Sequence, residues 1–254
     1  MKRIHLLLLL PITLLAWGGI AAAQPSNPVA PGIANAPAPD SDARDQATYE
    51  KHTRPVMNAL KLEDADKAAK VHDIMVAQFA ALRSWHATND ARIKDLWNQF
   101  NKARAAQNQT NADQIMSQID SAYATFKPQH EAFIAKLADV ITPEQIETIE
   151  DAITINKVEI TYRAYGEIFS GLTDKQKAFI LENLKAARKE AVDAGSMPEI
   201  SAFFKKYKIK IEAYLTAQGY DVKQAYRDFV AKQKAEAAAK KTSATPGDNN
   251  SAEK

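Results

Sequence analysis

Glycine and proline are scarce along a long central part of the chain, and this scarcity constrains the fold more than any other feature. Residues 45–234 hold only four of the eleven prolines and four of the eight glycines: Pro55, Pro128, Pro143, Pro198, Gly166, Gly171, Gly195 and Gly219. An all-β sandwich needs turn residues at shorter intervals. Most of these eight residues stand where a helix would begin or end. The sequence therefore predicts a single, mainly α-helical domain over residues 45–234.

The spacing of large apolar side chains predicts a long helical hairpin at the start of this domain. From Asp64 to about Gln107 these side chains recur in steps of three and four, which is the pattern of an amphipathic helix. The polar residues 108–111 predict a turn. A second helix follows over residues 115–137, with a bend or break near Pro128. Because the turn is short, we expect the two helices to pack antiparallel.

Shorter helices follow, and capping residues mark where they start. Residues 142–145 (Thr-Pro-Glu-Gln) and 173–176 (Thr-Asp-Lys-Gln) each place a capping Thr three residues before a Gln that can reach back to it. Pro198 opens a further helix, and Asp221 caps the last one. We therefore expect a multi-helix bundle in which a long hairpin is followed by shorter helices.

Residues 153–162 (Ile-Thr-Ile-Asn-Lys-Val-Glu-Ile-Thr-Tyr) fit two structures. The segment is rich in β-branched residues and alternates apolar with polar, as a small β-hairpin around Asn156-Lys157 would. Helical spacing fits as well, through Val158, Tyr162, Tyr165 and Phe169. We favour a helix and keep the β-hairpin as the alternative.

The N-terminus has the three parts of a secretory signal peptide, which we assign to residues 1–23. Lys2 and Arg3 precede an apolar run, and three alanines end it, so cleavage is expected between Ala23 and Gln24. No later segment approaches the roughly 20 apolar residues of a membrane span. We expect a periplasmic or secreted protein with no membrane span once the signal peptide is removed.

Low-complexity segments flank the predicted domain. Residues 24–44 contain five prolines and almost no large apolar side chain, and residues 235–254 are similarly polar. Such segments cannot bury enough apolar surface to offset the entropy lost on ordering. We predict a disordered Pro/Ala-rich linker before the domain and a disordered tail after it.

Composition excludes several classes of function. The chain has no cysteine, which excludes disulfide scaffolds, thiolate metal sites and Cys nucleophiles. Loss of Lys2 and Arg3 with the signal peptide would leave equal numbers of basic and acidic side chains, so we expect no nucleic-acid partner. Among the histidines, His86 and Asp90 are spaced i, i+4 and offer two ligands, which is too few for a metal site. We predict no metal and no cofactor.

Motifs of known catalytic sites are missing as well. Gly166-x4-Gly171 lacks the Lys and Ser/Thr that a phosphate loop requires, and the sequence has no Gly-x-Ser-x-Gly elbow. Carboxylates are the only numerous side chains that could act in catalysis, and most of them are explained as parts of solvent-exposed acidic helix faces. We predict no catalytic residues. Six of the eight tyrosines fall within residues 162–226, where they can form a core edge, a sugar-stacking platform or a protein-binding groove.

Two resemblances arise from the motifs. Residues 141–145 (Ile-Thr-Pro-Glu-Gln) and 172–176 (Leu-Thr-Asp-Lys-Gln) are similar to the Leu-Thr-x-x-Gln motif of helical periplasmic stress chaperones, although the first copy has Ile in place of Leu. Residues 141–229 resemble the secreted bacterial family known as domain of unknown function 3826. The matching segments are Thr-Pro-Glu-Gln (142–145), Thr-Tyr-x-Ala-Tyr (161–165), Leu-Thr-x-x-Gln-Lys (172–177), Ala-Arg-x-Glu-Ala-x-Asp-Ala (187–194), Phe-x-Lys-Tyr-Lys (204–208) and Tyr-Leu-x-x-x-Gly-Tyr-Asp (214–221).

The family resemblance implies export and an α-rich fold, and it implies no activity. Members of the family accompany polysaccharide-use genes, which is an association only. Ile209-Lys210 stands where the family pattern has Gly-Arg, so no role of that Arg is carried over. Within the motif-rich half, residues 141–229, the candidate binding residues are Tyr162, Tyr165, Arg188, Glu190, Asp193, Tyr207, Lys208, Tyr214 and Tyr220.

Three functional hypotheses follow. The first is a non-enzymatic exported binding protein with an unknown protein or glycan partner. The second is a polysaccharide-processing enzyme or accessory that uses Glu190, Asp193 and Glu199 near Tyr207 and Tyr214. The third is a periplasmic chaperone-like protein. We favour the first, because the sequence lacks catalytic motifs.

Overall fold

The computed structural model describes residues 41–243, with side chains described from 44 to 238. Within this part of the chain there are nine α-helices and no β-strand, so the prediction of a mainly α, multi-helix bundle is confirmed. The helices are α1 (Ser41–Leu60), α2 (Ala65–Ala105), α3 (Gln109–Ala124), α4 (Lys127–Ala138), α5 (Pro143–Ile153), α6 (Lys157–Ile168), α7 (Asp174–Ala191), α8 (Met197–Ala217) and α9 (Val222–Ser243). The predicted signal peptide, the linker up to residue 40 and the tail from residue 244 lie outside the described residues.

Helices α2 and α3 form the predicted antiparallel hairpin. Asn108 caps α3 by accepting a hydrogen bond from the Asn111 amide, so the polar turn starts the second helix. Far from this turn, the Trp85 indole N–H donates to the Thr125 hydroxyl at 2.9 Å, which ties the middle of α2 to the end of α3. The second predicted helix is interrupted between Ala124 and Lys127, close to Pro128. After this interruption, α4 packs along the first half of α2.

Two apolar cores lie along the 41-residue helix α2. The first core joins α1, the start of α2, α4 and α5 through Val56, Met75, Phe133 and Ile149 among others. The second core joins the end of α2 to α3, α6, α7 and α8, with Ile93, Ile119, Tyr165, Leu184 and Ile211 among its members. His86 belongs to neither core, and it lies on α2 between the stretches that contribute to them. The two apolar cores are therefore separated along α2 by a polar position.

The β-hairpin alternative for residues 153–162 is wrong. Helix α5 ends at Ile153 and α6 begins at Lys157, and the turn between them holds Ile155 and Asn156 at φ 51° and 54°. The turn that the sequence suggested therefore exists, but it joins two helices. Helix formation buries Val158 and, further along α6, Tyr165 in the second core. The burial of these two side chains stabilises the helix, and it outweighs the β propensity of the β-branched residues in this segment.

The first and last helices include residues that we assigned, from the sequence, to the linker and the tail. Residues 41–44, which we assigned to the linker, form the first turn of α1, and Asp45 beside them pairs with Arg83 of α2 at 2.6 Å. Residues 235–243, which we assigned to the tail, continue α9, and their Ala and Lys residues are strong helix formers. None of the helices in the described part of the chain is long and apolar enough to cross a bilayer.

Candidate functional site

Two of the candidate tyrosines line a cavity between α6 and α7. The cavity has a volume of about 500 Å³, and we call it the α6–α7 cavity. Tyr162 and Tyr165 reach it from successive positions on one face of α6, as their i, i+3 spacing requires. The connection to α7 turns at Gly171, whose φ of +77° suits a residue without Cβ. The Thr173–Gln176 capping box then starts α7, from which Ile180 also lines the cavity.

The inner wall of the α6–α7 cavity is aromatic. Tyr165 is 1% exposed and stacks on Phe169, with ring centroids 5.8 Å apart. Behind Phe169 lie Tyr220 and Tyr226, whose rings meet it edge-on. The Tyr165 hydroxyl is shielded from solvent and makes no hydrogen bond of ideal geometry, although the Tyr226 hydroxyl lies beside it. Burial and the nearby Tyr226 raise the pKa of Tyr165, so its hydroxyl remains a neutral donor at physiological pH.

Polar contacts hold this aromatic wall in place. The Tyr220 hydroxyl lies 3.2 Å from the side-chain oxygen of Gln176 and 3.4 Å from the Gly171 carbonyl, so it joins the start of α9 to the cavity rim. The Tyr226 hydroxyl donates to Glu212 at 2.7 Å. Both contacts fix rings that would otherwise depend on packing alone.

Charged side chains surround the mouth of the cavity. Arg163 and Glu167 on α6 and Lys177 on α7 line it, and all three are exposed. Lys177 also lies 3.5 Å from Asp174, a surface pair in the first turn of α7. An apolar wall with a few polar groups at its edge is the usual form of a small-molecule site. Neither Arg163 nor Lys177 was a sequence candidate. Exposed charged residues are common on helices, and the sequence does not show that α6 and α7 pack together and bring these two residues to one cavity.

Arg188 lies in the interior and not at a binding surface. It is 1% exposed on α7, and its guanidinium faces three carboxylates of α5. The nearest oxygens belong to Asp151 at 2.8 Å, Glu150 at 2.9 Å and Glu147 at 3.2 Å. The Glu150 contact has the distance but not the direction of a hydrogen bond, and burial raises the pKa of Glu150. The arrangement joins α5 to α7.

Four other candidates are also engaged by neighbouring helices. The Tyr207 hydroxyl donates to Glu190 at 2.6 Å, and this contact joins α8 to α7. Tyr214 stacks on Phe179 with centroids 4.0 Å apart, and Lys208 lies 5.7 Å from the ring centroid of Tyr226. These contacts are made between helices by half-buried side chains. They account for the four side chains without a ligand.

Asp193, the last candidate, belongs to a polar group that we call the His86 cluster: His86, Asp90, Tyr123, His130, Asp193, Gly195 and Glu199. The His86 ring is 6% exposed, and its Nε2 lies 2.8 Å from the Asp193 carbonyl oxygen. Its Nδ1 lies 2.6 Å from the Asp90 carboxylate. The Asp193 carboxylate, in turn, lies 3.1 Å from Nδ1 of His130.

Helix α8 closes the His86 cluster from the other side. Glu199 in its first turn accepts a hydrogen bond from the Gly195 amide at 2.7 Å. Burial raises the pKa of Glu199, although that hydrogen bond opposes the shift. The ligand atoms of His86, Asp90 and Glu199 all lie within 4.8 Å of one another. The sequence shows the spacing of His86 and Asp90, but it does not show that Glu199, over a hundred residues later, meets them.

Gly195 is the residue that lets this loop approach the imidazole. A Cβ at this position would come within 2.7 Å of His86 Nδ1 and 2.8 Å of the ring carbon beside it. Such contacts are too short for real side chains, so any larger residue would displace the ring or the loop. The contact explains why a Gly stands before the Ser196 cap of α8.

The structure brings only some of the sequence candidates together. Tyr162 and Tyr165 line the α6–α7 cavity, and Tyr220 contacts its rim. Glu190, Asp193 and Glu199, the carboxylates of the enzyme hypothesis, do not line it. They also do not line the smaller cavity of about 260 Å³ between α1 and α2. The cavity residues are therefore the stronger basis for a binding function.

Comparison with known proteins gives a family but no activity. No curated protein matches the chain. A family model described as a protein of unknown function, DUF3826, matches residues 46–235, which includes α2 to α8 and most of α1 and α9. The match extends the resemblance seen in residues 141–229 to the helical hairpin as well. The chain therefore belongs to the DUF3826 family.

Proposed function

We propose that the protein is an exported, non-enzymatic binding protein that holds a carbohydrate in the α6–α7 cavity. The observation that carries this proposal is the aromatic wall with charges at its mouth. Its volume of about 500 Å³ is within the range of small-ligand sites, and it is large enough for one or two sugar rings. Export is supported by the basic start, the apolar run and the alanines of residues 1–23.

Sugar chemistry matches the two parts of the cavity. A pyranose ring has an apolar face of C–H groups that packs on aromatic rings, and Tyr162 offers such a ring at the cavity surface. Sugar hydroxyls at the ring edge need donors and acceptors, which Arg163, Glu167 and Lys177 provide at the mouth.

The charges at the mouth favour an acidic sugar. Arg163 and Lys177 carry two positive charges against the single negative charge of Glu167. A uronic acid or a sulfated sugar could pair with these cations, and Arg in particular binds a carboxylate through two parallel hydrogen bonds. We therefore expect acidic oligosaccharides to bind more tightly than neutral ones.

A thermal unfolding screen against neutral and acidic oligosaccharides tests the proposal. A ligand at 100 times its Kd adds about 2.7 kcal/mol of stability. For a domain of this size, that stabilisation corresponds to a rise in the unfolding midpoint of roughly 5–11 °C. No shift with any glycan would reject the carbohydrate site. A protein client, as in the chaperone-like hypothesis, would then be tested by its effect on aggregation.

Variants with matched controls locate the binding site. Tyr162→Ala should remove the midpoint shift, whereas Tyr49→Ala, a half-buried tyrosine on α1, should keep it. Lys177→Gln should weaken the binding of acidic sugars about tenfold and change the binding of neutral sugars little. Lys175→Gln, two residues away on α7 and outside the cavity, is the control for charge. Equal effects of Lys177→Gln and Lys175→Gln would mean that nonspecific charge attraction, and not the cavity, binds the sugar.

A further inference from the structure

We propose that His86, Asp90 and Glu199 bind a first-row divalent metal ion, independently of the α6–α7 cavity. The three side chains come from the middle of α2 and the first turn of α8, and their ligand atoms lie within 4.8 Å of one another. One imidazole nitrogen and two carboxylate oxygens form a ligand set that suits Zn²⁺ or Mn²⁺. Small side-chain rotations would bring the three atoms to the roughly 2.0–2.2 Å metal–ligand distances of such ions.

The hydrogen bonding of His86 leaves its Nδ1 facing the Asp90 carboxylate. A backbone carbonyl can only accept a hydrogen bond, so the contact between Nε2 and the Asp193 carbonyl places a proton on Nε2. In the neutral ring, Nδ1 then carries a lone pair, which faces the Asp90 carboxylate at 2.6 Å. A shared proton accounts for this contact, and a metal ion bound to both atoms would move the Asp90 oxygen away from Nδ1, which its exposed side chain allows.

The surroundings of His86 suit a metal ligand, because they fix the orientation of its ring. Metal-binding histidines commonly donate their other ring N–H to a carbonyl, and this bond fixes both the tautomer and the ring orientation. The ring of His86 is also held by the edge of Trp85, with centroids 4.9 Å apart, and by the close approach of Gly195. Nδ1 is thus fixed in the direction of the two carboxylates, as a preorganised ligand requires.

The open side of the site suits a metal that retains water. Asp90 is 62% exposed, so solvent reaches the three ligand atoms from its side. Three protein ligands leave at least one coordination position for water or for a ligand atom from outside. The Tyr123 hydroxyl is shielded from solvent beside the Glu199 carboxylate and makes no hydrogen bond of ideal geometry.

Calorimetric titration tests the site directly. Full-length protein without an affinity tag would be freed of metal with a chelator and titrated with Zn²⁺ and Mn²⁺, and with Co²⁺ followed by its visible absorption. We expect one ion per chain and a Co²⁺ spectrum typical of nitrogen and oxygen ligands. No binding of any of these ions would overturn the proposal, and the contact would then be a proton-shared ion pair.

Conservative variants identify the ligands. Asp90→Asn and Glu199→Gln should each weaken binding about tenfold or more, since loss of supporting groups alone costs 10–100-fold in metal affinity. Asp95→Asn, an exposed Asp five residues along α2 that accepts a hydrogen bond from Gln99, should bind the metal ion like the unaltered protein. If either Asp90→Asn or Glu199→Gln retains full affinity, the three-ligand site is refuted. Circular dichroism confirms that each variant is folded.

Discussion

Replacing Arg188 by Met is expected to destabilise the protein strongly, because the guanidinium compensates a carboxylate that cannot regain water. Arg188 and Glu150 are 1% and 6% exposed. Glu147 and Asp151, the other two carboxylates, have side chains that are 48% and 33% exposed and can rehydrate. Removing one partner of a buried ion pair costs about 3–5 kcal/mol, and here most of that cost comes from Glu150.

The expected loss can be measured by thermal and urea unfolding followed by circular dichroism. About 3–5 kcal/mol corresponds to a midpoint lower by roughly 6–20 °C for a domain of this size. Arg188→Met combined with Glu150→Gln removes the unpaired charge and should lose only about 1–3 kcal/mol. Lys185→Met is the control, because Lys185 makes a surface pair with Glu147 that is worth about 0–1 kcal/mol.

The pH dependence of the Arg188→Met variant gives a second check. Burial raises the pKa of Glu150, so the folded state binds its proton more readily than the unfolded state. Stability therefore falls as the pH rises from about 4.5 through the folded-state pKa. Without Arg188 the pKa rises further, so the loss relative to the unaltered protein should be larger at about pH 7.5 than at about pH 5. Equal losses at both pH values, or a midpoint within about 2 °C of the unaltered protein at neutral pH, would refute the reasoning.

Two further predictions concern the His86 cluster. Gly195→Ala would place a Cβ 2.7 Å from His86 and should lower the free energy of unfolding in urea by about 1–3 kcal/mol. Gly166→Ala, which has open space around it on α6, is the control and should be neutral or stabilising. A Gly195→Ala variant as stable as the unaltered protein would contradict the close contact. The hydrogen bond that His130 donates to Asp193 raises the pKa of His130, against burial, so its stabilisation is complete below about pH 6.5 and is lost as the pH rises through the folded-state pKa. Asp193→Asn should therefore lose more stability near pH 6 than near pH 9, and the same loss at both would disprove the link.

Helix positions could be predicted from the sequence because their signals are local. The capping boxes at Thr142 and Thr173 form as their spacing indicated, and each satisfies amide groups within one turn of the helix. The break near Pro128 is local as well. At residues 153–162 the local signals conflicted, and burial of Val158 and Tyr165 in the second core decided for helix. Propensity alone could not give that result.

Functional residues were harder to predict because helix packing decides which side chains remain available. Tyr207 and Tyr214 look like binding residues in the sequence, yet α7 engages both through Glu190 and Phe179. The Arg188 motif likewise matched the family pattern, but its Arg serves an internal ion cluster. Sequence spacing shows which face of a helix a residue occupies, whereas the neighbour of that face depends on contacts between distant segments.

Helix α7 borders both proposed sites, and its length keeps them apart. Ile180 near its start lines the α6–α7 cavity, and its last residue, Ala191, comes two residues before Asp193 of the His86 cluster. Eleven residues of α-helix span about 16 Å, so a metal ion bound by His86 could not contact a sugar in the cavity. If Zn²⁺ nevertheless changed the affinity for a glycan, the coupling would have to pass through α7 and its packing. The glycan would then change the affinity for Zn²⁺ by the same factor, since coupling between two binding sites is reciprocal.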